Sequence, residues 1–329
     1  SIKPHAAIGL IPIILFDLDS AWIKKIFYYA LGFLIPVVAI ILWLASTNAL
    51  SPFFDIALNY WGLYSQINGE LVILSSTERL SYILNLVWRF GGHALWLIPA
   101  TFAIYLNQNK KTYLLASLTL CYAIYPAFTG QFFPYHYILF LYFIILLASL
   151  SIPNSQFPTP DSRFPLSTLS SFLFLLTLFI TIRPSQTFIR QLNNQPIVTS
   201  SDRAIEIANF LEKNLQDGDV VQPLDWTGGT LLAMLETRTP IATEYVFDFY
   251  FYHHISNPYI QNLRNDFMNQ LGESRPRYII EVTSADKPWV GGDDTTRTKF
   301  PELQNFLDEN YSITIQKDDY IIYELEDRP

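Results

Sequence analysis

The sequence predicts a multi-pass α-helical membrane domain followed by a small extracytoplasmic α/β domain, and three observations carry that expectation. Half of the 329 residues are hydrophobic, 16% are aromatic and only 15% are charged, with a mean hydropathy of +0.22, which is too apolar for an ordinary water-soluble domain. Charge divides unevenly: residues 1–198 hold ten Lys/Arg against six Asp/Glu, and residues 199–329 hold eleven against twenty-three, so the formal −8 is +4 joined to −12. The hydrophobic pattern changes at the same place, from long uncharged runs to short alternating helices and strands. A domain at −12 excludes nucleic-acid binding by phosphate neutralisation. The one thiol, Cys121, excludes an intrachain disulfide and a cysteine metal site. The chain opens Ser1-Ile2-Lys3-Pro4-His5 directly into apolar sequence, so it is expected to be the later portion of a longer protein.

A bilayer core of roughly 30 Å needs about 20 uncharged helical residues. Residues 26–46 meet this most cleanly, and residues 91–109 form a second span, entered from Ser81 with Arg89 inside or near its outer end. Residues 112–160 hold no acid or base except His136, which is enough for two helices, and the run from Pro126 to His136 (PAFTGQFFPYH) marks the hairpin between them. A fifth span covers 166–182, and residues 6–16 are too short for a full crossing. Lys24-Lys25 and Lys110-Lys111, two spans apart, place one side in the cytoplasm. Residues 48–79, residues 130–137 and everything after Arg183 then fall outside, and the Pro-rich loop 153–165 falls inside. Within the first outer loop, residues 52–64 read as an interfacial helix with Asp55 and Asn59 one turn apart.

From Ser201 the text is that of a soluble fold. Ala204, Ile207, Ala208, Leu211 and Leu215 repeat at helical spacing behind an acidic first turn, predicting a helix over 202–215. A strand at Val220-Val221, a helix opened by Gly228-Gly229, a helix over 258–271, a buried strand over 277–282, a helix over 301–310 and a strand pair at 311–315 and 320–323 follow. That alternation predicts one α/β domain.

Several enzyme signatures fail on context. Gly228-Gly229 and Gly291-Gly292 are lone doublets and not phosphate loops. Asp17-Leu18-Asp19 and Asp217-Gly218-Asp219 copy an Asp-x-Asp metal motif in the wrong surroundings, and His253-His254 lacks a third ligand at i+4. Asn310-Tyr311-Ser312 fits a glycosylation sequon of low specificity.

The order of parts is more specific. Lys3-Pro4 opens a helix; Gly32-Phe33-Leu34-Ile35-Pro36 lies in the first full span; Phe53-Phe54-Asp55 leads through Tyr60 to Tyr64-Ser65; and Phe133-Pro134-Tyr135-His136-Tyr137 opens the outer end of a helix. In the acidic half come Asp202-Arg203, the run from Asp248 to His254, Tyr259-Ile260 with Leu263-Arg264 and Phe267, and Pro276-Arg277-Tyr278-Ile279-Ile280. Together these resemble the later portion of polyprenyl-phosphate-sugar-dependent membrane glycosyltransferases of GT-C architecture. The types meant are dolichyl-phosphate-mannose-protein mannosyltransferase and aminoarabinose transferase, glycosyltransferase family 39.

The resemblance implies an inverting transfer, in which an acceptor hydroxyl attacks the anomeric carbon of a sugar on a lipid phosphate and the phosphate leaves. The partners implied are a polyprenyl-phosphate-linked sugar, membrane lipid and a glycan, lipid or protein acceptor. Members of this kind carry an acidic general base in an earlier outer loop, sometimes with a divalent metal, so that role is carried onto no residue here and the chain alone is expected to be inactive. Asp55 and Glu70 are read as solvated interfacial carboxylates. A departing phosphate needs preorganised cations or donors, and Arg79, Arg89 and His136, with Tyr135 and Tyr137 beside it, are the candidates. Arg89 stands out because an ionisable group in or near a span is costly, although an arginine that snorkels to headgroups gives the same sequence. His93, near Arg89, reads as a packing partner. Asp248, Tyr252, His253 and Arg264 match the family pattern and are candidates to line the acceptor entrance, or else to dock the domain. Two other classes compete: a transporter, which calls for paired broken helices or mid-bilayer charges, and a non-catalytic membrane-anchored sensor or assembly protein.

Overall fold

A computed structural model describes residues 4–17, 22–152, 166–182, 189, 192–193, 200–226, 228–283, 290–296 and 300–326. Lys3, Asp19, the loop 153–165 and Arg183 lie outside the described residues. The chain divides into two compact units, one comprising Ser1–Glu70 and Leu74–Pro184, the other Leu71–Ile73 and Ser185–Pro329.

The first unit is helical. A 3₁₀ turn, Pro4–Gly9, leads to α1 (Leu10–Asp17) and the long α2 (Trp22–Ser46). Next come α3 (Leu50–Asp55), a π-helical turn at Ile56–Tyr60 and α4 (Trp61–Tyr64), so the helix expected over 52–64 forms with a π turn inside it. There Asn59 Nδ2 donates to Asp55 Oδ1 at 2.8 Å. The unit continues with α5 (Ser76–Val87), α6 (Leu97–Leu106), α7 (Lys110–Thr129), α8 (Ile138–Ser149) and α9 (Leu166–Thr181). Helix α8 packs on α7 and α6, and α9 packs on α6. Trp96, Phe140, Ile144 and Phe174 fill the core, while Ala100, Ala103 and Ala148 let the backbones approach closely.

One expected span is corrected. Residues 91–109, entered from Ser81, do not form a continuous helix: α5 stops at Val87, and 3₁₀ turns at Phe90–Gly92 and Ala94–Trp96 intervene before α6. Phe90, Gly91 and Gly92 all take positive φ (47°, 61° and 86°), which no α-helix accommodates. By length and composition, Ile23–Ser46 and Lys110–Thr129 qualify to cross a membrane; Ala94–Leu106, Pro134–Ser149 and Thr168–Thr181 are apolar but shorter.

Besides its apolar core, this unit exposes many large apolar side chains and buries several polar ones. Ile23, Phe27, Leu31, Ile35, Leu42 and Trp43 are exposed on different faces of α2, and Leu120, Ile124 and Phe128 form an exposed stripe on α7. Thr112, Thr119, Gln131, His136, Ser170 and Thr177 are buried instead.

The second unit is α/β. Its elements are α10 (Ser200–Asn214), β1 (Val221–Leu224), α11 (Thr230–Glu236), α12 (Pro258–Ser274), β2 (Tyr278–Val282), α13 (Pro301–Asn310), β3 (Tyr311–Gln316) and β4 (Tyr320–Leu325). The sheet runs β1-β2-β4-β3, with β1 parallel to β2 and the other pairs antiparallel. Alternation along β2 decides the layers: Ile280 joins Ile207 and Leu211 of α10 on one face, and Ile279 joins Phe267 and Leu271 of α12 with Leu307 of α13 on the other. Both faces are therefore covered, which is why β2 is apolar except at the half-buried Glu281. Arg203 of α10 is buried; its Nε donates to Asp319 Oδ2 at 2.7 Å and its Nη1 donates to the Gly228 carbonyl.

Candidate functional site

The expected phosphate-binding residues converge in part, at the turn between α7 and α8. Helix α5 begins on a reciprocal capping box, in which Ser75 Oγ accepts from the Glu78 backbone and the Glu78 carboxylate accepts from the Ser75 backbone N–H at 2.9 Å. This cap sets the rotation of the helix, and Arg79 and Tyr82 fall on its half-buried face. Helix α7 ends at Gly130, in the left-handed conformation at φ 63°. A Cβ there would stand 2.5 Å from Arg79 Nη2, so only glycine lets the guanidinium lie against the turn. Arg79 Nη2 donates to the Thr129 carbonyl at a long 3.4 Å. Four N–H donors of the fork are not engaged by that bond.

Thr129 also holds His136. The threonine hydroxyl donates its single proton back to the Pro126 carbonyl at 2.8 Å, so the His136 Nδ1 at 3.2 Å is the donor of their shared bond. In neutral His136 this leaves the lone pair on Nε2. The imidazole is only 3% exposed and meets Tyr125, Phe133 and Tyr135 edge-on, with Tyr135 nearest at a centroid distance of 4.6 Å. It therefore acts on Thr129 from behind and does not face solvent. Gln131 completes the turn: its backbone N–H donates to Thr129 Oγ1 and its Nε2 donates to the Tyr64 carbonyl, both at 3.3 Å. Tyr82 receives the Gly69 N–H at 3.2 Å and stacks edge-on with Phe132.

The other expected residues separate. Arg89 is exposed in the kink after α5, and Arg79, not Arg89, reaches the turn. His93 is half-buried beyond the kink. Tyr137 is buried against Gly91, while Tyr135 is exposed and stacks on Phe133 at 5.3 Å.

In the second unit, Asp248, Tyr252, His253 and Arg264, expected to line an acceptor entrance or else to dock the domain, are all buried. The Asp248 backbone N–H donates to the Asp225 carbonyl at 3.3 Å. His253 donates from Nδ1 to the Phe249 carbonyl at 3.0 Å. Burial, followed by the neighbouring His254, pushes its pKa down to about 4, against the opposing pull of that carbonyl. Arg264 donates from Nε and Nη2 to the Phe251 carbonyl and lies over the Phe300 ring at 4.6 Å. These groups hold the 3₁₀ turn Asp248–Phe251 against α12.

The motifs set aside on context have structural partners. Asp225 accepts from the Gly228 N–H at 2.6 Å and the Thr230 N–H at 3.0 Å, so the glycine doublet already has its own carboxylate where a phosphate would sit. Asp17 accepts from Lys25 Nζ at 2.9 Å and Tyr29 OH at 2.8 Å, and Asp219 accepts from the Gln216 N–H. Gly291 pairs with Leu71 and Ile73 within the second unit, and Asn310 Nδ2 donates to the Phe306 carbonyl. Among the described residues, no group of three or more His, Cys, Asp or Glu is placed to hold a metal ion.

Thr129, Gln131 and Tyr82 escaped the sequence reading. The available signal was a Thr-Gly-Gln tripeptide ending a long apolar run, where a hydroxyl and an amide are out of keeping with lipid. Fold and site together define a helical unit with exposed apolar side chains and a few buried polar ones around an apolar core, followed in the chain by a small α/β unit. Compared with known proteins, the chain matches no family model and no curated protein sequence.

Proposed function

We propose that this chain is part of a multi-pass membrane glycosyltransferase that moves a sugar from a polyprenyl-phosphate carrier to an acceptor hydroxyl outside the cytoplasm, with inversion. The observation that carries the reading is the joint anchoring of Arg79 and His136 on Thr129 at one turn of a unit whose exterior is apolar. Exposure of large apolar side chains around the whole of α2 favours lipid as its surroundings, since water would penalise each of them by about 1.5–3 kcal/mol. The paired lysines favour placing the turn and the acidic unit on the outer side.

In this reading Arg79 meets the leaving phosphate. As the C–O bond to the anomeric carbon breaks, charge grows on the phosphate oxygens, and a guanidinium already fixed against Gly130 stabilises it without reorganising. His136 keeps Thr129 in place and is a positioning residue. Tyr135 offers an exposed ring to the sugar or the isoprenoid. The general base is assigned to none of these residues.

The test is turnover of a polyprenyl-phosphate-linked sugar by the full-length protein in vesicles. Arg79→Ala is expected to lower turnover about 10²-fold, with partial recovery in Arg79→Lys and membrane insertion unchanged. Turnover of Arg79→Ala equal to wild type overturns the assignment.

A further inference from the structure

Helix α5 carries a surface that the site does not use. Its residues sort into three arcs. Arg79, Tyr82 and Leu86 face the protein and are half-buried; Thr77, Ser81 and Asn85 are polar and exposed; Leu80, Leu84 and Trp88 are apolar and exposed at 62%, 56% and 73%. The last three repeat at i, i+4 and i+8 and so form one continuous stripe. The stripe runs beside the polar arc for the whole helix, which is the cross-section of a helix lying along an interface and not of one crossing it. Two further features fit that placement. The capping box at Ser75 and the positive-φ break from Phe90 to Gly92 give α5 its own ends, so it is not the first half of a longer span. At its end Trp88 adjoins the exposed Arg89, an amphipathic ring beside a cation, the pairing that suits a lipid headgroup region.

We propose that α5 lies in the plane of a phospholipid bilayer, with Leu80, Leu84 and Trp88 at the headgroup–acyl boundary and Arg89 among the phosphates. The proposal rests on the membrane reading above and adds to it a surface that the transfer reaction does not need. A lipid surface is favoured over a protein partner by continuity: Phe54 on α3, Leu58 in the π turn and Trp61 on α4 are exposed in the same unit, as are apolar residues around all of α2, and a single protein partner covers one face only. Arg79 then sits on the far side of α5 from the lipid, directed to the Thr129 turn.

The experiment is nitroxide depth measurement on the full chain in phosphatidylcholine vesicles. Single cysteines are introduced at Leu80, Ser81, Leu84, Asn85 and Trp88 in a Cys121→Ala background, with Leu34→Cys in α2 as the reference. The expected result is an oxygen-to-nickel accessibility ratio several-fold higher at 80, 84 and 88 than at 81 and 85, with equal depths along the stripe and a deeper Leu34→Cys. A depth that increases steadily from 80 to 88 overturns the proposal in favour of a crossing helix. Exclusion of both reagents at 80, 84 and 88 overturns it in favour of a protein cover, such as a second copy. Nickel-dominated accessibility on α5 with Leu34→Cys still deep removes the inference alone, whereas nickel-dominated accessibility at both places removes the membrane reading as well.

Discussion

His253 and Arg79 show how two basic residues take opposite roles through their surroundings. His253 is fully buried at 0% exposure, and its one ring proton is committed to the Phe249 carbonyl, so protonation has to put a charge into an apolar interior. Its folded pKa of about 4 lies below the ordinary 6.5. The unfolded chain therefore binds the proton first, and the stability that His253 contributes is complete above pH 6.5 and is lost as pH falls toward 4. The loss amounts to about 3 kcal/mol over that window. Urea unfolding of the full chain, followed by Trp226 fluorescence with the other six tryptophans replaced by Phe, is expected to show this slope, and His253→Gln is expected to flatten it between those limits; an unchanged slope in the variant contradicts the assignment. Arg79, by contrast, is half-buried with most of its donors uncommitted to the one long bond at Thr129, which is what a binding residue needs.

At the scale of elements, two glycines separate local propensity from packing. Gly229 opens α11 at φ 107°, and a Cβ there would stand 2.3 Å from the Ser200 carbonyl, so a side chain meets both backbone strain and a rigid neighbour. Gly272 lies near the end of α12 with nothing within 4 Å of its would-be Cβ. Gly229→Ala is expected to destabilise the second unit by about 3 kcal/mol, while Gly272→Ala is expected to stabilise it by about 0.5–1 kcal/mol. Chemical denaturation of the full-chain variants measures both, and a neutral Gly229→Ala contradicts the packing account. Elements with strong local signals were legible in advance. The helix expected over 301–310 occupies Pro301–Asn310, and the expected closing strand pair forms as β3 and β4. The break between α5 and α6 was not legible, because Gly91-Gly92 is tolerated within many apolar spans and Phe90 gives no sign in sequence of its φ of 47°.

For the whole molecule, the proposed function turns on which side of a bilayer would hold the second unit. The paired lysines of the first unit place it outside in our proposal. Protease added to sealed right-side-out vesicles is expected to remove an epitope following Pro329, and the same epitope is expected to survive in inside-out vesicles; the reverse pattern sinks the proposed orientation. The division of labour in the molecule follows from solvent. Under that proposal, the apolar residues exposed on the first unit meet hydrocarbon, and the second unit, with two apolar layers around a sheet, meets water.

The sequence by itself determined the two-part character of the chain and the positions of most helices and strands. These depend on composition and on periodicities of 3.6 and 2, which are local properties. Only the tertiary structure decided that Arg79 and Thr129, 50 residues apart, meet at one turn, that Arg89 stays away from it, and that Asp248 and His253 lie in a core. Burial and long-range hydrogen bonds depend on how whole helices pack, and that information is spread over many residues, none of which carries it alone.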